Sequence, residues 1–326
     1  MPGTFTVGEV SAEPGTSASG GLKLFTLPDG TLVQTPIVLI NGAQSGAVLY
    51  VGAATHGDEV NGIEICRRVV ENVDPKKLTG SIIIVPVHNP IAFWFRRRFS
   101  MLDGIDLNRV FPGREQAGAT ETLAHKLYHK AVSKANCIID FHSASTGGRY
   151  CGAVLFVPDI DGGVGQKSLD FAKSFGGDVI VRTKAGKEYE GYILDKMLTM
   201  VAASNGIPGF CAELGTGNLL EEEYIEAGAR GVGNVMKALG MTEGLAETSA
   251  RNIICEELVA VRARCGGLLR VRAKLGTEAK QGDILGEVYA QLRKVEDIVA
   301  PVNGLVVRTQ TMATVLPGDR VVCLGR

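Results

Sequence analysis

The sequence predicts an α/β protein, a mixed sheet flanked by helices, followed by a small C-terminal all-β domain. Three observations lead there. Short apolar, β-prone runs alternate with segments of helical period through about residue 240, the pattern of a sheet covered by helices. After about residue 244 that alternation stops, and short β-prone runs recur between turn formers. The chain has 326 residues, a length that allows about two domains.

The elements follow in order. The first ~40 residues read as a β-rich lead-in, with strands over 22–27 and 32–40 around the turn Pro28-Asp29-Gly30. AVLYVGAA at 47–54 is a buried strand bounded by glycine. Residues 62–73 have helical spacing, with Ile63, Cys66, Val69 and Val70 on one face. SIIIVPV at 81–87 is a second buried strand, 117–134 a helix with Leu123, Leu127 and Ala131 in one stripe, and CIIDF at 137–141 a third strand. Strands and helices alternate again through 153–157, 169–175, 179–181, 192–205 and 209–213. A last helix over 221–239 opens with Glu221, Glu222 and Glu223, acids suited to the positive end of a helix dipole and read as a solvated start. Beyond residue 252 the β-prone runs 268–271, 284–289, 298–299, 305–308 and 321–324 are separated by Gly-Asp, Pro-Val-Asn-Gly and Pro-Gly-Asp turns, as in a small barrel or sandwich. The expected division is 1–245 and 246–326, with 242–252 as linker.

Composition narrows the function classes. Apolar residues make up 45% and charged residues 21%, ordinary for a globular protein. The net charge is −1, which argues against binding to a nucleic-acid backbone or a membrane surface. No run approaches the ~18–20 apolar residues of a membrane span, and MPGTFTVGEV does not read as a secretory signal. Seven scattered cysteines without a CxxC read as buried thiols in a reducing compartment, so a cytoplasmic protein is expected. A homo-oligomer is the default expectation for assembly.

The five histidines are His56, His88, His125, His129 and His142. His56-Gly57-Asp58-Glu59 follows the strand at 47–54 and is expected to open a helix, where residues three apart share a face. His142 follows the strand at 137–141, and sites in open α/β sheets gather at the carboxyl ends of strands. His56, Glu59 and His142 would form a His₂Glu set, a catalytic zinc arrangement with a position left for water. Two imidazoles favour zinc over magnesium or calcium. HxxE alone is a weak signal, since any acid near a helix start can produce it. His88, His125 and His129 read as polar residues meeting solvent. Asp106-Leu107-Asn108-Arg109 is either a surface turn with a salt bridge or a carboxylate clamp. Glu213, ending the apolar run 209–212, is placed either to act on a ligand or to cap the next helix.

THGDEVNG at 55–62, NP at 89–90, DGIDLNRVFPG at 103–113, DFHS at 140–143 and AELGTGN at 212–218 stand in one order. Together they resemble the succinylglutamate desuccinylase/aspartoacylase family, relatives of the zinc carboxypeptidases. The resemblance covers about residues 30 to 240. It implies a zinc carboxypeptidase-like fold, one zinc ion held by His56, Glu59 and His142, and Glu213 as the general base. It also implies that Asn108 and Arg109 bind a substrate carboxylate. An arginine shortly before that pair would polarise the scissile carbonyl; of Arg96, Arg97 and Arg98, Arg98 is favoured. Asp106 would accept from the His56 N–H and fix its tautomer, with Asp140 as the competing candidate.

The implied activity is hydrolysis of the amide of a small N-acetyl or N-succinyl amino acid to a carboxylate and a free amine. Residues from about 265 to the end resemble the biotinyl/lipoyl hybrid barrel. The stretch Leu292-Arg293-Lys294-Val295-Glu296 lacks the Met-Lys-Met of a swinging arm, so a carrier role is rejected. A carboxypeptidase and a non-catalytic binding protein on the same scaffold are the competing functions. Arg149, Tyr150, Arg182, Tyr189 and Tyr192 are unranked candidates for the pocket wall.

Overall fold

A computed structural model describes residues 2–189, 192–247 and 251–326. At its centre is a nine-stranded mixed sheet. In chain order its strands are β1 (Thr16–Thr26), β2 (Leu32–Asn41), β3 (Gln44–Gly52), β4 (Thr79–Val85), β5 (Cys137–His142), β6 (Val154–Pro158), β7 (Val179–Thr183), β8 (Gly209–Glu213) and β9 (Ile253–Cys255). In space they run β9-β7-β6-β8-β5-β3-β4-β2-β1. The three central neighbours β8, β5 and β3 are mutually parallel, so their carboxyl ends open onto one edge, where open α/β sheets place their ligands.

Helices cover both faces. They are α1 (Asn61–Asn72), α2 (Pro90–Phe95), α3 (Ala119–Lys130), α4 (Val164–Phe175), α5 (Leu198–Ser204) and α6 (Glu222–Ala238). Strand parity sorts the core. Cys137, Ile139 and Phe141 of β5 face α1, α4 and α6, while Ile138 faces α3 and α5. Side chains alternate faces along a strand, so Asp140 and His142 project with Ile138. The buried stripe of α1 is Gly62, Ile65, Cys66 and Val69, shifted from the one expected through Ile63. Gly62 sets that rotation, because a Cβ there would stand 2.6 Å from Phe141 Cβ and 2.8 Å from Ala53 Cβ.

The strand-rich C-terminal region forms two further sheets. One joins Leu258–Arg262, Arg320–Gly325, Gly304–Gln310 and Glu278–Ala279; the other joins Arg293–Val299, Ile284–Ala290, Gly267–Val271 and Thr314–Val315. Val261, Leu269, Leu285, Val288, Ile298 and Val322 are buried between them. Among the described residues, two strand pairings connect this region to the rest of the chain. β9 adds a parallel strand beside β7, and the short strand Gly148–Tyr150 pairs with Gly304–Gln310. Of the expected linker at 242–252, residues 248–250 lie outside the described residues. Among the described residues no helix is long and apolar enough to cross a membrane.

His88 and Glu221 also depart from expectation. His88 does not meet solvent: it is fully buried, hydrogen-bonded to the Tyr50 hydroxyl through Nε2 and to Thr55 Oγ1 through Nδ1, each at 2.7 Å. Gly52 makes the room, since a Cβ there would stand 2.0 Å from the His88 ring. Glu221 is not a solvated helix start: its carboxylate accepts from the Thr216 N–H at 2.6 Å, and its own N–H donates to Asn61 Oδ1 at 2.9 Å.

Burial pushes the His88 imidazole down to about 4, with Asp140 opposing the shift and His142 adding to it. Its folded pKa lies below the unfolded value, so the unfolded chain binds the extra proton and stability falls as pH drops through the window from 6.5 toward 4. Denaturant titrations at neutral pH and about pH 5 should show the wild type losing about 2 kcal/mol more than His88→Gln. An equal loss in both chains would place the titrating group elsewhere.

Candidate active site

Three adjacent strand ends deliver the site. His142 ends β5 and Glu213 ends β8, and the two are register partners, so both project from the same face of the sheet. His56 and Glu59 lie in the turn after β3. That turn is not the opening of a helix, as the spacing suggested: α1 begins at Asn61, and the Glu59 N–H returns to the His56 carbonyl at 3.2 Å. A reverse turn brings residues three apart together as a helical turn would.

The turn is fixed from several sides. The Gly57 N–H donates to the Arg97 carbonyl at 2.8 Å, and a Cβ at Gly57 would lie 1.9 Å from the Ala92 carbonyl oxygen. Only glycine lets the turn press onto α2, whose start Asn89 caps by accepting from the Ala92 N–H. Asp58 accepts from the Thr146 N–H and hydroxyl, both at 2.8 Å, anchoring the loop after His142. Asn61 donates to the Leu214 carbonyl at 3.0 Å, anchoring the loop after Glu213.

His56, Glu59 and His142 are buried and converge, each offering an atom within 4.8 Å of the others. His56 Nδ1 is 2.7 Å from Glu59 Oε1, His142 Nδ1 is 2.7 Å from Glu59 Oε2, and the two Nδ1 atoms are 3.3 Å apart. Burial opposes ionisation of Glu59 most strongly, but His56 and His142 outweigh it and hold its carboxyl well below the usual range. Burial likewise works against a charged His142, yet Asp140 and Glu59 raise its imidazole well above the usual value. The cluster therefore demands positive charge, which a proton or a metal ion can supply. Two imidazole nitrogens and a carboxylate are a donor set that suits zinc; the two nitrogens stand at 3.3 Å, about the spacing of tetrahedral zinc ligands, while both nitrogen–oxygen separations are hydrogen-bond lengths of 2.7 Å.

Each imidazole is held from behind by a carboxylate. Asp106 Oδ1 lies 3.2 Å from His56 Nε2, and Asp140 Oδ2 lies 3.1 Å from His142 Nε2. The two aspartates that competed for one position occupy one each. Asp106 also accepts from the Asn108 N–H, shaping the short 3₁₀ turn Leu107–Arg109. Burial opposes its charge, while His56, Arg98 and Arg109 hold its carboxyl well below the carboxylate range.

Of the three consecutive arginines, Arg96 and Arg97 are exposed and Arg98 turns inward. The left-handed conformation of Arg96, φ 51°, ends α2 and redirects the chain. Arg98 donates to Asp106 Oδ2 and to Ser145 Oγ, and its Nη1 lies 3.4 Å from His56 Nδ1. Asn108 lines the cleft; its Oδ1 accepts from the Leu198 N–H at 3.0 Å, and its amide nitrogen lies 3.4 Å from His142 Nε2. Arg109 stacks its guanidinium 5.1 Å from the Tyr192 ring centroid.

The cleft in front of the cluster is lined by Arg98, Asn108, Arg109, Glu213, Tyr150, Tyr189 and Tyr192, among others. Arg149 and Arg182 are engaged elsewhere, with Glu221 and Glu223 and with Asp159 and Glu256. Two lining arginines escaped the sequence reading: Arg308 and Arg320, from the strand-rich region. The available signal for Arg308 was a charged residue ending the apolar run Leu305-Val306-Val307. Ser145, which donates to Glu59 at 2.5 Å, carried no signal at all.

Fold and site define an α/β protein with a buried side-chain cluster able to hold a metal ion, open to a cleft rich in arginine and tyrosine. The family model for the succinylglutamate desuccinylase/aspartoacylase catalytic domain matches residues 45–239, and the chain belongs to this family. An N-alpha-acetyl-L-2,4-diaminobutyric acid deacetylase from Halomonas elongata is 26% identical over 308 residues, 90% of this chain and 86% of that protein. A succinylglutamate desuccinylase from Shewanella frigidimarina is 27% identical over 126 residues, 37% of this chain and 35% of that protein. The product-bound structure of the ectoine utilization protein EutE (DoeB) from Ruegeria pomeroyi superposes with a TM-score of 0.85 at 23% identity, covering 95% of each chain. That likeness extends the shared fold through the strand-rich C-terminal region.

Asp140→Asn keeps the shape of the side chain and removes the charge behind His142. Competition against a chromophoric chelator should show zinc affinity reduced roughly 10–100-fold; unchanged affinity would mean that Asp140 does not support the ligand.

Proposed function

We propose that the protein is a zinc-dependent deacylase that hydrolyses the amide of a small N-acetyl or N-succinyl amino acid. The observation that carries this reading is the register pairing of His142 with Glu213. It sets an acid beside the His56–Glu59–His142 cluster, on the wall of the same cleft. Membership in a family whose named relatives are a deacetylase and a desuccinylase supports the choice of reaction.

A zinc ion held by His56, Glu59 and His142 would supply Lewis acidity, lowering the pKa of water toward ~7 and polarising the scissile carbonyl. Glu213 takes the proton that the attacking water gives up and delivers it to the leaving nitrogen; one carboxylate can act as base and then as acid. Arg98, held by Asp106 beside the cluster, donates to the oxygen that gains charge as the carbonyl becomes tetrahedral. Arg109 and the Asn108 amide nitrogen bind the carboxylate of the amino-acid part and orient the amide toward Glu213. Asp106 and Asp140 keep both imidazoles in the tautomer that leaves Nδ1 free to ligate.

Dialysis against a strong chelator should abolish amide hydrolysis, and one equivalent of zinc should restore it; full activity in verified metal-free protein would end the zinc reading. Glu213→Gln should still take up one zinc per chain while kcat falls roughly 10²–10⁴-fold. A rate within a few-fold of wild type would put the proton-transfer group elsewhere.

A further inference from the structure

Ser145 stands between a cation and an anion of the site. Its hydroxyl donates to Glu59 Oε1 at 2.5 Å and accepts from Arg98 Nη1 at 3.2 Å. The first length is that of a charge-assisted O–H···O⁻ bond. Arg98 Nη1 itself lies 3.9 Å from the same Glu59 oxygen, beyond the reach of a direct hydrogen bond. Asp106 holds Nε and Nη2 of Arg98, so Nη1 is the nitrogen left to face the cluster. The serine hydroxyl occupies the place where that nitrogen and the carboxylate would otherwise meet.

The backbone is shaped to keep it there. Ser145 has φ 53°, in the left-handed region that residues other than glycine rarely adopt. Such strain persists where the surroundings over-determine it. The Ser145 carbonyl accepts from the N–H groups of Gly148 and Gly217, each at 3.3 Å. A Cβ at Gly217 would stand 2.4 Å from the Ser145 carbonyl carbon, so glycine lets the loop after Glu213 press onto the loop after His142. Thr146, next in the chain, is tied to Asp58.

The second Glu59 oxygen accepts from the Ser143 N–H at 3.2 Å. A metal ion ligated by both Nδ1 atoms would take the two imidazoles out of their bonds to Glu59. Among the described residues, the donors left on that carboxylate are then Ser143 and Ser145, with Arg98 the cation waiting behind the hydroxyl.

We propose that Ser145 is a positioning residue whose hydroxyl keeps Arg98 from closing onto Glu59. The carboxylate stays free to hold zinc, and the guanidinium stays free to donate to the substrate carbonyl. This rests on the zinc deacylase reading above and deepens it. Without the hydroxyl, two opposite charges in a space largely shielded from water draw together. The resulting ion pair competes with zinc for Glu59 and pulls Arg98 off the oxygen that gains charge.

Ser145→Gly removes the hydroxyl and suits the left-handed backbone, so it tests the side chain without straining the fold. Competition against a chromophoric chelator should show zinc affinity reduced about tenfold or more. In an Arg98→Met background the same substitution should lower affinity less than about threefold, because the competing cation is gone. In the zinc-saturated Ser145→Gly enzyme, kcat should fall about tenfold with KM nearly unchanged, since the groups assigned to the substrate carboxylate are untouched. Ser145→Thr keeps the hydroxyl and should recover most of both losses. A serine with a purely structural role would lower the melting temperature on replacement by glycine and leave zinc affinity and kcat as in wild type. That result would overturn the proposal, as would an equal loss of zinc affinity with and without Arg98. Should wild type cleave no acylated amino acid, the deacylase reading fails, while zinc competition across wild type, the two single variants and the double variant still decides the role of Ser145.

Discussion

One carboxylate, Glu59, bridges two imidazoles at the edge of three parallel strands, and much of the surrounding architecture keeps it there. Its two oxygens lie 2.7 Å from different histidines drawn from positions 56 and 142. Burial opposes its charge, so the group persists as a carboxylate only while positive charge sits beside it. Gly57 lets the turn that carries it approach α2, and Asp58 and Asn61 tie that turn to the loops after His142 and Glu213. The segment 56–61 thus supplies two members of the cluster and also the bonds that place the rest.

The same balance of charge extends outward from Glu59. Asp106 and Asp140 add two carboxylates behind the imidazoles, and Arg98 returns one positive charge. With neutral imidazoles, an excess of two negative charges remains in a buried space, matched to a divalent cation. The cleft in front has the opposite sign, with Arg109, Arg308 and Arg320 on its walls. Under the proposed deacylase function, an anionic substrate entering it would meet attraction from the walls and present its neutral amide to the buried cluster.

The sequence carried the α/β layers because strand and helix periods alternate through β8, although the helix Pro90–Phe95 and the strand Gly148–Tyr150 were too short to show a period. It carried the His-Glu-His set because its members stand at strand ends in a recognisable motif order. Where it fell short, the reasons are physical. His88 looked like any polar residue ending a strand, and only the missing side chain of Gly52, far away in sequence, shows that its ring is enclosed. The contributions of Asp106 and Asp140 could not be separated, since each depends on which imidazole nitrogen faces it across the fold. Arg308 reaches the cleft through a pairing between residues 148–150 and 304–310, a contact across more than a hundred residues that periodicity cannot reveal. Ser145 acquires its place through a loop conformation held by Asp58, which no local spacing encodes.

The proposed zinc ion would fill the space among His56, Glu59 and His142. A crystal grown with stoichiometric zinc and measured on both sides of the zinc absorption edge tests it directly. A single anomalous peak about 2.0–2.2 Å from both Nδ1 atoms and a Glu59 oxygen is expected. A peak bound elsewhere, or none beside an intact Glu59–imidazole hydrogen-bond pair, would contradict it.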